Sequence, residues 1–433
     1  VRSPVVRITI AEYGTPEPVI AEIAAAARST ASEAEALLRR HGERLQRRHG
    51  LKENPIEIRS DGVTAKGIAG VIALSPRIEL EIRPKFAAPG SDWHADLVFL
   101  AVITRHGHID TASSISSLVS EANSLADLVA RVVILSIERN QRAPLRTRRA
   151  RTIESFEPEG EMDPDVLLNP GEEGWRQHSY AMSRDNEYWA TIHRGALVLL
   201  PHVRNAEIAA RLSDTVTRWG RPTTPPSRFH RLLPPRLSVW QSPYDLCFEL
   251  AQGASMSPGA GHQATFEFTL DMWRAWETLI ERGLVAALGA ARVELQKETS
   301  LGRLDRNGRI STVTVIPDAI VDVGRPLVVD AKYKGRWRSD GRGYEPISAA
   351  DRYEAMAFMM ATGAEDAILL YPSIDGVSVD EPVQIVQREE LPTGNLSAVA
   401  IGVSGLSHPQ GMTRLRSRLN EVIALSSHVI ATT

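Results

Sequence analysis

The apolar and polar positions of this chain fall into segments of clear period. Residues 5–10, VVRITI, alternate as a strand does, and 55–86 reads as β throughout. Within it Asp61-Gly62 is a hairpin turn, and IELEI alternates apolar and acidic positions. A helix is predicted over about 30–48, with Ser32 and Glu35 spaced as a capping box, Leu37, Leu38 and Leu45 on its apolar side, and Gly50 as its stop. Asp92 to about Asn140 reads as mostly helical, and helices recur over 183–218. Five prolines in RPTTPPSRFHRLLPPR (221–236) exclude a continuous helix and mark a linker.

The C-terminal half then runs helix, three strands, helix, strand. FEFTLDMWRAWETLIERGLVAAL (266–288) has Trp273, Trp276, Ile280, Leu284 and Ala287 at helical spacing. A strand follows over 292–298, then a hairpin over 313–334, a helix over 349–363 with Tyr353, Met356, Ala357 and Met360 on one face, and the strand DAILLYP (366–372). Strands at VQIVQ and LSAVAIGV and a closing helix around 411–426 complete the pattern. The expected fold is mixed α/β (α+β), with an N-terminal β-rich and helical part (1–175), a helical connector with the proline-rich linker (176–236) and a C-terminal domain (237–433).

One stretch breaks its own pattern. In VTVIPDAIVDVGRPLVVDAKYK (313–334), two apolar strands are each interrupted by an acid, Asp318 on the first and Asp330 on the second. Alternation puts Lys332 on the same face as Asp330. Burying such charges is costly unless they pair or bind a metal. Glu277 lies on the edge of the buried face of the preceding helix and is the natural third carboxylate; Glu354, on the following helix, could face the same cleft. A divalent ion held by two or three carboxylates, Mg²⁺ (or Mn²⁺), with a lysine to orient water and offset charge, is what phosphodiester cleavage needs. The plainer reading is a surface hairpin with an Asp–Lys ion pair, worth little energy. The surrounding order of elements, which is that of the PD-(D/E)xK nuclease core, weighs against it.

Composition narrows the alternatives. Apolar content of 43% and charged content of 24% are ordinary for a globular protein. A net charge of −3 does not mark a nucleic-acid binder, so local patches must carry any such case. The densest is 141–153, with Arg142, Arg146, Arg148, Arg149 and Arg151; DNA backbone, a protein partner and plain solvation are equally open for it. Lys334 is a further possible DNA or partner contact. The single cysteine, Cys247, excludes a disulfide framework and a cysteine-built zinc site within the chain and reads as a buried thiol. His106 and His108 lack a third ligand nearby and read as structural. No segment approaches ~18 uncharged apolar residues, and a soluble, cytoplasmic protein is expected. There is no GxxxxGK[ST] loop, G-x-S-x-G, H-E-x-x-H or Gly-rich Rossmann turn.

These residues resemble the McrC family, the nuclease subunit of McrBC-type modified-DNA restriction systems. The likeness is carried by IPDAIVDVGRPLVVDAKYK (316–334) and DRYEAMAF (351–358), and extends to GVIALSPRIELEIRPKF (70–86), which ends in an I-x-P-K segment, and to SRDNEYWATIHRGALVLL (183–200). The resemblance implies a Mg²⁺-dependent endonuclease domain with Asp318, Asp330 and Lys332 at the family's catalytic positions. It also implies an N-terminal part that docks onto a GTP-hydrolysing AAA+ motor (the McrB-like partner), and a subunit that stimulates this motor's hydrolysis and cuts double-stranded, modified DNA. The family commonly has Gln where Glu354 stands. Cutting both strands would favour two paired nuclease subunits. The alternative is a non-catalytic adaptor that keeps the nuclease fold to hold DNA or to activate the partner NTPase.

Overall fold

The structure is a computed structural model that describes residues 5–75, 77–106, 124–162, 171–253, 266–307, 309–334, 347–374 and 376–427. His108 and the side chain of His106 lie outside the described residues. The chain forms two compact units, one from Val1–Leu128 with Thr265–Thr433 and the other from Val129–Ala264.

The first unit opens with β1 (Val6–Ala11), α1 (Ile20–Ala27), α2 (Ala31–His49), the hairpin β2 (Ile56–Arg59) and β3 (Gly62–Ala65), then β4 (Ile68–Ser75), β5 (Ile78–Arg83) and α3 (His94–His106). The hairpin expected at Asp61-Gly62 is present, with Ser60-Asp61 as its two-residue turn and Gly62 already paired with Arg59. β1 runs parallel to β5, and Ile8, Ile10, Ile72, Leu80 and Ile82 enclose a core with Ile23 of α1 and Leu38 and Leu45 of α2. The cap of α2 lies two residues earlier than the expected Ser32–Glu35. Thr30 Oγ1 accepts from the Glu33 N–H at 3.2 Å, and Glu33 Oε2 accepts from the Thr30 N–H at 2.7 Å. Thr30 has extended backbone and can act as the cap, whereas Ser32 is already inside the helix. Gly50 ends the helix in the left-handed region at φ 65°.

The chain continues through α4 (Leu125–Arg139), β6 (Thr147–Ser155), β7 (Glu161–Met162), β8 (Trp175–Ser183), α5 (Glu187–Leu199), α6 (Ala206–Trp219) and α7 (Gln241–Gly253). In this second unit β6 pairs with β8 over its whole length, from Thr147 opposite Ser183 to Ser155 opposite Trp175. Helix α5 starts at Asn186, whose side chain accepts from the Tyr188 and Trp189 N–H groups, and α5 packs on α7 with Gly195 against Cys247. The proline-rich segment 221–236 lies inside this unit. Asp185 accepts from the Thr223 and Thr224 N–H groups, and Thr191 Oγ1 from the Ser227 N–H. The main boundary placed there from the sequence differs from this division at 128/129 and 264/265.

The chain re-enters the first unit as β9 (Phe268–Asp271), a strand where a continuous helix was expected. It completes a sheet of order β1-β5-β4-β9. Gly70 of β4 makes this approach possible: a Cβ there would lie 2.0 Å from the Phe268 carbonyl oxygen, and its φ is 135°. Then follow α8 (Met272–Leu288), β10 (Val293–Leu295), β11 (Thr299–Arg306), β12 (Arg309–Val315), β13 (Ala319–Asp322), β14 (Pro326–Ala331), α9 (Ala349–Thr362), β15 (Asp366–Pro372), β16 (Gln384–Leu391), β17 (Gly394–Ile401) and α10 (Gly411–Ser427). The second sheet has the order β10-β13-β14-β15-β17-β16, with β14, β15 and β17 parallel. Three expectations are corrected. The face of α8 buries Met272, Ala275, Trp276, Leu279, Ile280, Gly283 and Leu284, and leaves Trp273 48% exposed. Helix α9 turns Phe358 and Met359 inward, not Tyr353 and Met360, because its apolar residues ring the helix and the side with Ala355, Phe358 and Met359 is the one packed in the core with Val328, Ala367 and Leu369 of the strands. Between β10 and β13 the chain inserts the ribbon β11–β12, which the sequence pattern did not show.

Thr30→Ala is expected to cost about 1 kcal/mol of stability, whereas Ser32→Ala is expected to shift the urea unfolding midpoint hardly at all. Equal shifts would contradict this cap.

Candidate active site

The register of β13 and β14 creates the site. Ala319 opposes Val329 and Asp322 opposes Pro326. One step further along, Asp318 faces Asp330 across the open end of the hairpin. Asp318 therefore stands just before its strand, not within it, and Lys332 just after β14. Like charges directly opposite on paired strands repel, so two things must hold them there. Asp318 is pinned: its Oδ2 accepts the Ala331 N–H at 2.7 Å, and its Oδ1 accepts from Gln296 Nε2 at 3.2 Å. Asp330 is 4% exposed, and burial, opposed by Lys332 and reinforced by Asp318, pushes its pKa up to about 7.

Gln296 is the residue that gathers the acids. It follows β10 with a left-handed φ of 48°, and its N–H donates to the Asp318 carbonyl at 3.0 Å. Its Nε2 lies 2.8 Å from Glu277 Oε1 and 2.8 Å from Glu281 Oε1, in addition to Asp318. An amide nitrogen carries two protons, so three carboxylates share one short supply of neutral donors. Glu277 and Glu281 are both raised above the usual carboxylate range, first by burial and also by the charge of Asp318. Trp276 fixes this face of α8 by donating from Nε1 to the Leu370 carbonyl of β15 at 2.9 Å.

Lys332 Nζ lies 2.5 Å from Asp330 Oδ2 and 2.6 Å from Glu354 Oε2. Burial disfavours its charge, but Asp330 and Glu354 outweigh burial and raise its pKa above the ordinary value. Glu354 thus reaches the same cleft. Asp330 Oδ2 is buried and accepts no well-directed hydrogen bond; the contact with Lys332 is an ion pair only. Lys334 is bound to Asp351 and Ser348 at the start of α9, and its ammonium is engaged there. Among the described residues no three His, Cys, Asp or Glu side chains form a ready-made cage for a metal. Mg²⁺ does not require one, since one or two carboxylates and retained waters suffice. The all-oxygen donor set, with the buried Asp330 carboxylate held by an ion pair alone, fits such an ion.

Behind the site, the hairpin exit rests on the N-terminal sheet of the same unit. Glu12, at the end of β1, is fully buried and accepts from the Tyr333 hydroxyl at 2.5 Å and from the Lys85 N–H at 3.1 Å. Lys85 is buried too; its Nζ donates to the Lys334 carbonyl and lies 3.8 Å from the centre of the Tyr333 ring. This explains why the I-x-P-K segment and the D-A-K-Y-K hairpin occur together. Glu281, Gln296 and Glu12 were missed from sequence. Only Glu281 had a legible signal, since it lies four residues after Glu277 on one helix face.

The arginines expected as contacts belong to the second unit. Arg148 and Arg149 are exposed on β6, Arg149 pairs with Asp185 at 3.0 Å, and Arg146 precedes the strand. Within that unit Arg148, Arg149, Arg228 and Arg231 line an open groove of about 700 Å³. Cys247 is buried, and burial pushes its thiol pKa up, away from nucleophilic use. No helix among the described residues is long and apolar enough to cross a membrane.

Comparison with known proteins bears on the whole of this arrangement. The model of the family described as "McrBC 5-methylcytosine restriction system component" matches residues 194–372. A structure of a half-complex from the tetradecameric assembly of Thermococcus gammatolerans McrB AAA+ hexamers with bound McrC aligns at TM-score 0.63 and 15% identity, covering 96% of this chain and 100% of that one. A cryo-EM structure of the McrBC complex of the same organism aligns at TM-score 0.46 and 14% identity, over 65% of this chain and 88% of that one. No curated protein sequence matches. At 15% identity the first likeness establishes the mixed α/β fold, and the family match bears out the resemblance read from the residues.

Glu12 gives a test of the support. Burial, opposed by Lys85, raises its pKa from 4.5 to about 7. The unfolded chain ionises first, so stability should fall as pH rises from about 4.5 to about 7 and then level off. Glu12→Gln should flatten that part of the stability–pH curve, read from urea midpoints between pH 4.5 and 8; an unchanged slope would contradict the raised pKa.

Proposed function

Because residues 194–372 belong to the McrBC component family, we propose that this chain is the McrC-like endonuclease subunit of a restriction or anti-phage defence complex. It would cut modified double-stranded DNA together with an McrB-like AAA+ GTPase whose hydrolysis it stimulates. The observation that carries the reading is the facing pair Asp318–Asp330, with Lys332 ion-paired to the second acid. It is the arrangement of a PD-(D/E)xK site.

In this reading Asp318, Asp330 and Glu277 hold Mg²⁺ (or Mn²⁺), which when bound polarises a phosphoryl oxygen and acidifies a water. Asp318 is oriented by the Ala331 N–H. Lys332 offsets the negative charge that builds on the phosphate, and Glu354 fixes the position of its ammonium. Gln296 keeps Glu277, Glu281 and Asp318 from splaying apart. An adaptor without catalysis would have no use for this set of four, Asp318, Asp330, Lys332 and Glu277, held together in one cleft. The N-terminal sheet, with no chemistry of its own, serves docking, and two copies of the subunit would address the two strands.

Asp330→Asn and Lys332→Met are each expected to reduce Mg²⁺-dependent cleavage by the assembled complex at least ~100-fold. Stimulation of partner GTP hydrolysis should survive both. Gln296→Ala should lower cleavage ~10-fold or more through the looser carboxylates. Chelation with EDTA should abolish cutting. Cleavage at the normal rate by Asp330→Asn would sink the nuclease reading and leave the adaptor.

A further inference from the structure

The ribbon β11–β12 is the largest feature that the site chemistry leaves unexplained. It is inserted between β10 and β13, so both of its ends arise from site residues. Thr299 follows Gln296 by three positions, and Val315 precedes Asp318 by three. Seven strand steps from Thr299 to Arg306 carry its tip about 23 Å along the ribbon axis from that root. Almost every residue of it is exposed, which is unusual for paired strands in a folded core.

Its charges are uneven. Arg303, Arg306 and Arg309 stand against a single aspartate, Asp305. All three arginines are exposed, and none of their guanidinium groups has a hydrogen bond or ion pair with another described residue. Arg306 and Arg309 are directly opposite each other at the tip. Two like charges in that position repel and weaken the ribbon. An anion between them removes the repulsion. The register that sets Arg306 opposite Arg309 brings the two side chains to one end of the ribbon, where one such anion can meet both.

We infer that the β11–β12 ribbon is a duplex-DNA contact, in which Arg303, Arg306 and Arg309 bind backbone phosphates of the duplex at a distance from the scissile bond. This rests on the nuclease reading of the site. A two-stranded ribbon is of a size that the major groove admits, and arginine is the side chain suited to forked contact with phosphate. The ribbon holds the duplex at a fixed distance from Asp318 and Asp330, because it grows from the same loops that place Gln296 and Asp318. Its exposed apolar positions, Leu304 and Ile310 above all, are the feature that a second copy of the chain would use instead.

The test measures binding of the full chain to a labelled duplex of about 30 base pairs in EDTA, across a salt series. Replacing the three arginines together (R303Q/R306Q/R309Q) should weaken binding at least tenfold at low salt. It should also flatten the slope of log K against log salt by about 2.7, since each phosphate contact contributes about 0.9. The corresponding lysine triple (R303K/R306K/R309K) should retain most of the slope, which a merely structural role of the arginines would not produce. Unchanged affinity and slope in the glutamine triple would overturn the inference. So would loss of self-association with DNA binding intact, which would assign the ribbon to a second copy. Ribbon-dependent binding by a chain that never cuts would instead sink the nuclease reading and leave the ribbon standing.

Discussion

Two carboxylates forced to face each other across one antiparallel strand pair are the constraint to which the first unit answers. The register from Asp322–Pro326 to Ala319–Val329 leaves Asp318 and Asp330 no freedom to separate without slipping the hairpin, and a slip would turn its apolar side chains to the wrong face. Everything near the pair works to contain that repulsion. The Ala331 N–H and the Gln296 amide hold one acid, Lys332 compensates the other, and Glu354 holds the lysine. The arrangement is strained electrostatically, and that strain is a cost the fold of this unit has to carry.

The support extends beyond the acids. Tyr333 and Lys334, which follow the lysine, are seated on Glu12 and Lys85 of the N-terminal sheet. Helix α8, which brings Glu277 and Glu281, begins directly after β9, a strand of that same sheet. The N-terminal sheet and the hairpin sheet thus fix the site from two sides, one through buried hydrogen bonds and the other through a shared chain segment.

Much of this was legible in the residues. Acids that interrupt apolar strands, a helix before them and a helix and strand after are signals that the linear pattern carries, and Asp318, Asp330, Lys332, Glu277 and Glu354 do come together. What was not legible has physical causes. FTLD was absorbed into the apolar run of α8, because a four-residue buried strand has no period of its own to distinguish it from a helix start. The ribbon was missed because its strands bury neither face, so polar and apolar residues are mixed on both sides. Gln296 acts through a left-handed backbone and a side-chain amide, neither of which pattern or charge reveals. The cap at Thr30 was displaced to Ser32 because two Ser/Thr-x-x-Glu spacings overlap there, and only backbone conformation decides between them.

The pairing of β4 with β9 has a consequence for the order in which the chain is made. β4 is synthesised almost two hundred residues before β9, and the whole second unit emerges between them. Until Phe268–Asp271 leaves the ribosome, the apolar strand Ile68–Ser75 has one unpaired edge, the kind of edge that recruits other chains. The sheet that supports the acid-bearing hairpin cannot be completed during that interval. A nascent chain halted before residue 268 would therefore carry an open sheet edge, exposed to association with other chains.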